Sequence, residues 1–210
     1  MKTERNSDEV IQYLDQIAEN ICKHRASVLV GAGFSKNAES QGEEHRKLPD
    51  WKELGDVFYE QLYGKKPDDT VRYVSALKLA EEVKAVFKRP KLDALLREYT
   101  SDASFVPSEL HRLLLELPWE DVFTTNYDTL LERAQKDVID RYYTPVCCKN
   151  DILSASHPWI VKLHGPFASS DNPYIITEED YRTYPTEYAP FVNSVRQTLL
   201  EKTLCLIGFS

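Results

Sequence analysis

The stretch that decides the fold is Ser27-Val-Leu-Val-Gly-Ala-Gly-Phe-Ser35. Residues 28–30 are apolar and largely β-branched, which predicts a short buried strand of a parallel sheet. Gly31 and Gly33 follow, and glycine lets the backbone turn where a side chain would block a ligand. A strand, a glycine-rich turn and a helix start together present backbone N–H groups to a pyrophosphate. The stretch therefore predicts either the phosphate turn of a dinucleotide pocket or a tight connection without a ligand.

The rest of the chain alternates between helical and strand-like spacing of its apolar residues. Helical spacing predicts a packing helix over residues 8–24 and a largely helical segment over about 51–117. Asn126-Tyr-Asp128 is expected to open a further helix. The strand candidates are Asp121-Val-Phe-Thr-Thr125, Trp159-Ile-Val-Lys-Leu163 and Thr203-Leu-Cys-Leu-Ile207, with weaker extended stretches at 141–147 and 174–176. This order predicts an α/β fold, a Rossmann-like parallel sheet with helices on both faces and a helical insertion at about 51–117.

Composition restricts the partners of such a fold. A chain of 210 residues that is 42% hydrophobic suits one domain over residues 1–210. Its net charge of −8 argues against a grip on nucleic acid or anionic lipid. The polar residues 1–9 and the lack of an apolar run of ~18 residues predict no signal peptide, no membrane span and a cytoplasmic protein. The four cysteines include the adjacent pair Cys147-Cys148 but no C-x-x-C, so we expect free thiols and no metal site.

Glycine or polar residues follow four of the predicted strands, and the carboxyl ends of parallel strands meet at one edge of a sheet. The four segments are Gly31-Ala-Gly-Phe-Ser35, Thr124-Thr-Asn-Tyr-Asp128, Leu163-His-Gly165 and Gly208-Phe-Ser210. In this order they resemble the sirtuin family, whose NAD-binding core has a G-A-G-x-S turn, a T-x-N-x-D segment, an L-H-G segment and a G-x-S turn. The resemblance covers residues 27–210 and implies that the chain binds NAD.

The resemblance also implies roles for individual residues. Asn126 and His164 would be catalytic residues at the nicotinamide ribose, with Asp128 near the carboxamide. Asp50 lies in Leu48-Pro-Asp-Trp51, which is similar to the family's P-D-F-R stretch but has Trp51 in place of Phe and Lys52 in place of Arg. His111 also matches a family position, where we expect a structural role. The implied cofactor-binding residues are Gly31, Ala32, Gly33, Ser35, Asp50, Thr125, Asp128, Gly208 and Ser210.

These residue types suit cleavage of the bond between nicotinamide and ribose. The transition state resembles an oxocarbenium ion, so the site must orient the ribose hydroxyls, hold the leaving amide and place a base beside the nucleophile. Imidazole suits the base because its unperturbed pKa is about 6.5. The alternative for His164 is a turn histidine bonded to backbone. The alternative for Asn126 is a helix N-cap, which is compatible with catalysis.

One departure from the family selects among its activities. Protein deacetylases of the family carry a four-cysteine zinc ribbon between the L-H-G and G-x-S segments, whereas here this interval has no cysteine before Cys205. The chain instead resembles zinc-free bacterial sirtuin-like domains of antiphage defence proteins, which hydrolyse NAD to nicotinamide and ADP-ribose. This implies an NAD glycohydrolase that needs no metal. The alternatives are protein deacylation, ADP-ribosyl transfer, and a sensor that binds NAD or ADP-ribose without cleaving it.

The end of the sequence predicts a longer protein. The strand candidate at 203–207 would be buried on both faces of a parallel sheet, yet the chain stops at Ser210, inside the G-x-S motif. We expect a further carboxyl-terminal region that completes the adenosine side of the pocket and assembles the domain into homo-oligomers. The resemblance implies an activator, either phage-derived or a partner protein. The alternative is a self-sufficient domain whose last strand lies at the sheet edge.

Overall fold

The computed structural model describes residues 7–41, 47–68, 75–165 and 173–209. Within these ranges the helices are α1 (Ser7–Cys22), α2 (Ala32–Ser35), α3 (Trp51–Tyr63), α4 (Ala76–Phe87), α5 (Arg89–Tyr99), α6 (Glu109–Glu116), α7 (Leu130–Ala134), α8 (Glu178–Glu187) and α9 (Ala189–Glu201). The strands are β1 (Ala26–Val30), β2 (Glu39–Ser40), β3 (Phe105–Val106), β4 (Val122–Thr124), β5 (Thr144–Val146), β6 (Trp159–Lys162) and β7 (Thr203–Ile207). No helix in the described ranges combines the length and apolarity needed to cross a membrane.

Five of these strands form one parallel sheet in the order β5-β6-β4-β1-β7. In its register Val30 at the end of β1 lies beside Thr124 of β4 on one side and Ile207 of β7 on the other. Thr124 in turn lies beside Lys162 of β6. Because the strands are parallel, the segments that follow β1, β4, β6 and β7 leave the sheet at one edge. The predicted α/β fold with a Rossmann-like sheet is confirmed.

Helices cover both faces of the sheet because alternate strand residues point to opposite sides. Val28 and Ile160 belong to a buried cluster that includes residues of α1, α6 and α7. Phe123 and Val161 belong to a second cluster, on the other face, with Phe191 of α9. The strands therefore pack between two apolar layers. The sheet edge that carries the predicted site residues extends beyond these layers.

The helical insertion is built from α3, α4 and α5 and has its own core. Phe58, Val83 and Leu96, one from each helix, are fully buried there. Tyr127, which follows β4, and Tyr174 belong to the same cluster. The insertion also contains β3, which pairs antiparallel with β2. The insertion therefore packs against the segments that leave the sheet edge.

Three local predictions differ from the structure. The helix expected at Asn126 begins only at Leu130, because the Asp128 Oδ1 atom accepts a hydrogen bond from the Leu130 N–H at 3.2 Å and residues 126–128 form an irregular turn. The strand expected within 141–147 is limited to β5. Residues 174–176 are buried but irregular, and Ile175 donates its N–H to the His164 carbonyl at 3.1 Å.

β7 lies at one edge of the described sheet. Its residues are mostly half-buried, and Leu206 is 64% exposed. Apolar parallel strands are usually covered on both faces. Coverage of this edge by further chain stays a prediction.

Candidate functional site

The predicted residues of two strand ends meet because β1 and β4 are neighbours in the sheet. Ser35 lies in α2 just after β1, while Asn126 and Asp128 lie in the turn after β4. All three side chains are at least nine-tenths buried. Residues separated by about 91 positions in sequence thus share one small volume.

The three side chains form one line of hydrogen bonds with a defined direction. Asn126 donates from Nδ2 to the Ser35 Oγ atom at 2.9 Å. The Ser35 hydroxyl then donates to the Asp128 Oδ2 atom at 2.6 Å. The other Asp128 oxygen accepts the Leu130 N–H at 3.2 Å. The carboxylate therefore sets the direction of the Ser35 hydroxyl, and Ser35 helps to set the orientation of the Asn126 amide.

The Asn126 amide has one group left for a ligand. Its second Nδ2 hydrogen is donated to the Gly31 carbonyl at 3.0 Å, so both amide donors are used. The Oδ1 atom is buried and has no hydrogen-bond partner among the described residues. A buried acceptor without a partner costs about 1–3 kcal/mol, and such a group in a native structure calls for a ligand or water. Asn126 is thus an acceptor held ready in a fixed direction.

A cavity of about 420 Å³, including its open mouth, adjoins this line. Ser35, Asn126 and Asp128 line it together with Ala32, Thr125 and Asp50, so six of the predicted site residues surround one space. Leu48, Trp51 and Leu54 supply an apolar side. Concave sites with largely apolar walls and a few polar groups are typical of small-molecule binding.

Asp50 has structural partners in addition to the cavity. Its carboxylate caps α3 by accepting the Glu53 N–H at 2.9 Å, and it pairs with the Lys36 ammonium at 2.6 Å. Burial works to raise the pKa of Asp50, but the hydrogen bond from Lys36 and those from the backbone outweigh burial and hold the pKa below its ordinary value. A charged pair therefore borders the cavity, and it joins the segment after β1 to the start of the helical insertion.

The glycines of the first motif meet the last motif. Gly31 donates its N–H to the Ile207 carbonyl at 2.8 Å, and Gly33 donates to the Gly208 carbonyl at 2.9 Å. A Cβ atom on Gly31 or Gly33 would lie 2.7 or 2.9 Å from the Gly208 oxygen. Close packing against Gly208 therefore explains why a side chain would not fit at Gly31 or Gly33. The Gly33 N–H is already donated to the Gly208 carbonyl. Contact between Gly31, Gly33 or Gly208 and the cofactor stays a prediction. Ser210 lies outside the described residues.

His164 follows β6, the strand next to β4, and is not among the residues that line the cavity. Its Nδ1 atom lies 3.2 Å from the Tyr181 hydroxyl. Burial lowers the pKa of His164 to about 4, so the imidazole is neutral at pH 7. The backbone of His164 also has a partner, because its carbonyl accepts the Ile175 N–H. Both predicted alternatives, a base and a turn histidine bonded to backbone, are compatible with this arrangement.

Two buried basic residues, Lys162 and His111, lie beside the site, and only His111 was expected to have a role, a structural one. Lys162, on β6, is 2% exposed, donates to the Asp128 carbonyl and pairs with Glu132 at 3.2 Å. Burial lowers the pKa of Lys162, but Glu132 and Asp128 more than offset this and leave the pKa raised. The sequence signal that could have identified Lys162 is a lysine inside an otherwise apolar strand, because a lysine that is buried needs a charged or polar partner.

His111 is the second of these residues, and here a structural role was expected. It is 1% exposed, and its ring centroid lies 4.9 Å from that of Phe34 in the glycine turn. The Ser108 N–H donates to Nδ1 at 3.2 Å, so the neutral ring carries its hydrogen on Nε2, which is buried and lacks a partner among the described residues. Burial lowers the pKa of His111, and the charge of Asp128 opposes this.

A second cavity, of about 860 Å³ including its mouth, lies at the opposite edge of the sheet. Asp121 and Trp159, at the starts of β4 and β6, line it with His157. None of the predicted site residues lines this cavity. Within the described ranges, no three or more His, Cys, Asp or Glu side chains are grouped so that they could hold a metal ion.

Comparisons with known proteins point to the same family. Residues 120–210 match the model of the SIR2-like domain. The chain is 34% identical over 110 residues to NAD(+) hydrolase ThsA of Acinetobacter baumannii, covering 50% of this chain and 22% of that protein. It is 32% identical over 205 residues to NAD(+) hydrolase ThsA of Enterococcus faecium, covering 94% of this chain and 39% of that protein. Defense-associated sirtuin 2 of Bacillus subtilis is 23% identical over 96% of this chain and 19% of its own length.

The chain therefore spans about two-fifths or less of the length of these relatives. The matched residues 120–210 include the turn with Asn126 and Asp128, His164 and the Gly208 turn. The preceding residues supply β1, its glycine turn and the helical insertion. These motifs lie at one edge of a parallel sheet, residues 120–210 match the SIR2-like domain, and the chain is similar to sirtuin-like proteins over this part.

Proposed function

We propose that the chain is an NAD glycohydrolase that cleaves NAD to nicotinamide and ADP-ribose and depletes NAD in antiphage defence. The observation that carries the proposal is the Asn126 Oδ1 atom, a buried acceptor without a partner in the described residues, fixed by Ser35 at the edge of a cavity. Relatives named NAD(+) hydrolase and defense-associated sirtuin support the reaction and its setting.

Asn126 would act as an oriented acceptor. Both of its amide hydrogens are already donated within the protein, so Oδ1 is the part of the amide left for a ligand. This oxygen would accept a hydrogen bond either from a ribose hydroxyl or from the attacking water. Because Ser35 and Asp128 fix the amide beforehand, no side-chain reorganisation is needed during the reaction. The amide would thus favour the geometry in which the nicotinamide bond breaks.

His164 would act as the general base. In the proposed reaction the C–N bond between ribose and nicotinamide breaks, and its electron pair stays on the nicotinamide nitrogen. The oxygen of a water molecule bonds to the ribose carbon and loses a proton to the imidazole. Burial lowers the pKa of His164 to about 4, so the ring is unprotonated at pH 7 and can accept a proton. NAD is the substrate, and no step of this reaction needs a metal.

The test follows free nicotinamide and ADP-ribose by chromatography after incubation with NAD, with and without an acylated peptide. We expect both products in the absence of peptide. Asn126→Ala and His164→Ala should each lower the rate by ~10²-fold or more. Asn193→Ala is the matched control, because Asn193 is exposed on α9 and borders the opposite cavity. Circular dichroism checks that all variants are folded.

Each alternative predicts a different result. Nicotinamide release that requires the acylated peptide would replace hydrolysis by deacylation. ADP-ribose attached to protein, with little free ADP-ribose, would indicate transfer. Thermal stabilisation by NAD without nicotinamide release would indicate a sensor. Full activity of folded Asn126→Ala would remove Asn126 from the mechanism.

The proposal extends to the control of the reaction. We expect action in the cytoplasm, as homo-oligomers and under a phage-derived or partner-protein activator, with no direct contact to nucleic acid or membrane. Light scattering on the chain tests assembly. A monomer with full activity and no response to infected-cell extract would contradict both expectations.

A further inference from the structure

The environment of His164 determines which of its ring nitrogens can act. Its ring meets Tyr181 and Tyr184 edge to face, with ring centroids 5.1 and 6.2 Å apart. The two tyrosine hydroxyls have different partners. Tyr181 bonds the Nδ1 atom at 3.2 Å, whereas Tyr184 donates to the Leu163 carbonyl at 2.5 Å. Within the described residues Nδ1 is the ring nitrogen with a hydrogen-bond partner, and the Tyr181 hydroxyl can either donate to it or accept from it.

We propose that Tyr181 is a positioning residue that keeps His164 in the tautomer with hydrogen on Nδ1, so that the Nε2 lone pair faces the reaction. The Nδ1–H would donate to the Tyr181 oxygen. The opposite tautomer would place a hydrogen on Nε2 and remove the lone pair a base needs. The inference rests on the proposed function of His164 as base, but the tautomer itself is a property of the folded chain.

The position of Tyr181 depends on the helical insertion. Asp180, the residue before it, accepts the N–H groups of Ile176 and Thr177 at 3.1 Å each, which fixes the start of α8. Arg89 of α5 pairs with Asp180 at 3.0 Å. The same guanidinium donates to the Tyr174 carbonyl at 2.5 Å.

The ion pair between Arg89 and Asp180 is partly buried, so it holds α5 and the start of α8 together more strongly than an exposed pair would. The side chains of Arg89 and Asp180 are 24% and 16% exposed. Removing one partner of a partly buried ion pair lowers the free energy of unfolding much more than removing one partner of an exposed pair. This holds for a pair such as this one, which joins two elements far apart in sequence. Arg89 therefore connects the insertion, through Asp180 and Tyr181, to the His164 ring.

The tautomer is read directly by ¹⁵N NMR of the histidine ring nitrogens, in protein labelled at histidine and with the His164 signals assigned from His164→Gln. We expect the wild-type chain to carry the hydrogen on Nδ1. Tyr181→Phe keeps the ring but removes the hydroxyl, and should produce a mixture of tautomers or the Nε2–H form. A wild-type chain with hydrogen on Nε2, or a Tyr181→Phe spectrum equal to wild type, would overturn the inference.

Kinetics supply the second readout. Tyr181→Phe should lower kcat roughly tenfold, the effect of losing one orienting hydrogen bond, with little change in KM. Tyr184→Phe is the matched control and should stay within about twofold of wild type, because its hydroxyl bonds backbone rather than the His164 ring. Equal losses in kcat for both variants would show a structural effect of α8 instead.

Arg89→Met tests the connection to the insertion. We expect it to change the His164 ring signals in the same direction as Tyr181→Phe. Unchanged His164 signals in folded Arg89→Met would overturn the part played by the insertion. If no variant or wild type releases nicotinamide while the tautomer still depends on Tyr181, the proposed function fails and the positioning inference stands.

Discussion

The Asn126 Nδ2 atom lies 2.9 Å from the Ser35 Oγ atom, although 91 positions of sequence separate the two residues. Ser35 in turn donates to Asp128, so a carboxylate determines how an amide on the same turn is oriented. Asn126 lines the cavity, and its Oδ1 atom is buried without a hydrogen-bond partner among the described residues.

Ser35→Ala removes the link between the amide and the carboxylate. One Asn126 hydrogen and one Asp128 oxygen then lose their buried partner, which typically costs ~1–3 kcal/mol. We expect the NAD cleavage rate to fall by roughly 10–100-fold. Ser154→Ala is the control, since Ser154 is exposed and outside the cavity. In the double variant Ser35→Ala/Asn126→Ala the two losses should not add, and full additivity would contradict a shared role.

Stability should depend on pH through His164. Burial lowers its folded pKa to about 4, below its ordinary value near 6.5, so the unfolded chain binds more protons between these values. This contribution is therefore complete above pH ~6.5 and is lost as the pH falls toward 4, by up to about 3 kcal/mol.

His164→Gln should remove that part of the pH dependence. Urea unfolding of both proteins between pH 4 and 7 measures the difference, and the wild type serves as the reference at each pH. The free energies of unfolding of the two chains should diverge as the pH falls. Parallel curves across the range would show that His164 is not desolvated in the folded chain.

Gly208→Ala should destabilise the contact between the first and last strands. Gly208 has φ = +76°, and a Cβ atom there would lie 2.5 Å from the Phe34 nitrogen. Gly64→Ala is the matched control, because Gly64 has φ = +70° but, among the described residues, no contact within 4 Å of an added Cβ. We expect about 1 kcal/mol of destabilisation for Gly64→Ala and at least ~2 kcal/mol more for Gly208→Ala. Thermal unfolding measures both, and equal losses would contradict the close packing.

The purified chain should contain no stoichiometric zinc. A structural zinc site needs about four nitrogen or sulfur ligands, and Cys147-Cys148 is an adjacent pair whose N–H groups both bond Asp151. Elemental analysis after dialysis against chelator measures the metal content. One zinc per chain retained after dialysis would contradict this prediction and favour the deacetylase alternative.

The sequence by itself was enough to predict the parallel sheet and the placement of Ser35, Asn126 and His164 at strand ends. Apolar runs that stop at glycine or polar residues are local signals, and the direction of a parallel strand follows from chain order. The order of the four motifs added the resemblance to the sirtuin family, which implies NAD as ligand. Local patterns did not reveal that the turn after β4 stays irregular, because the bond from Leu130 to Asp128 replaces the first helical turn.

Only the tertiary structure decided which polar atoms of these residues have hydrogen-bond partners within the protein and which are left for a ligand. The amide of Asn126 is oriented by Gly31 and Ser35, and the ring of His164 by Tyr181, all through contacts between separate elements. The burial of Lys162 beneath Asp128 likewise depends on β6 lying next to β4. Hydrogen-bond direction and desolvation arise from neighbours distant in sequence, so no spacing of residue types along the chain encodes them.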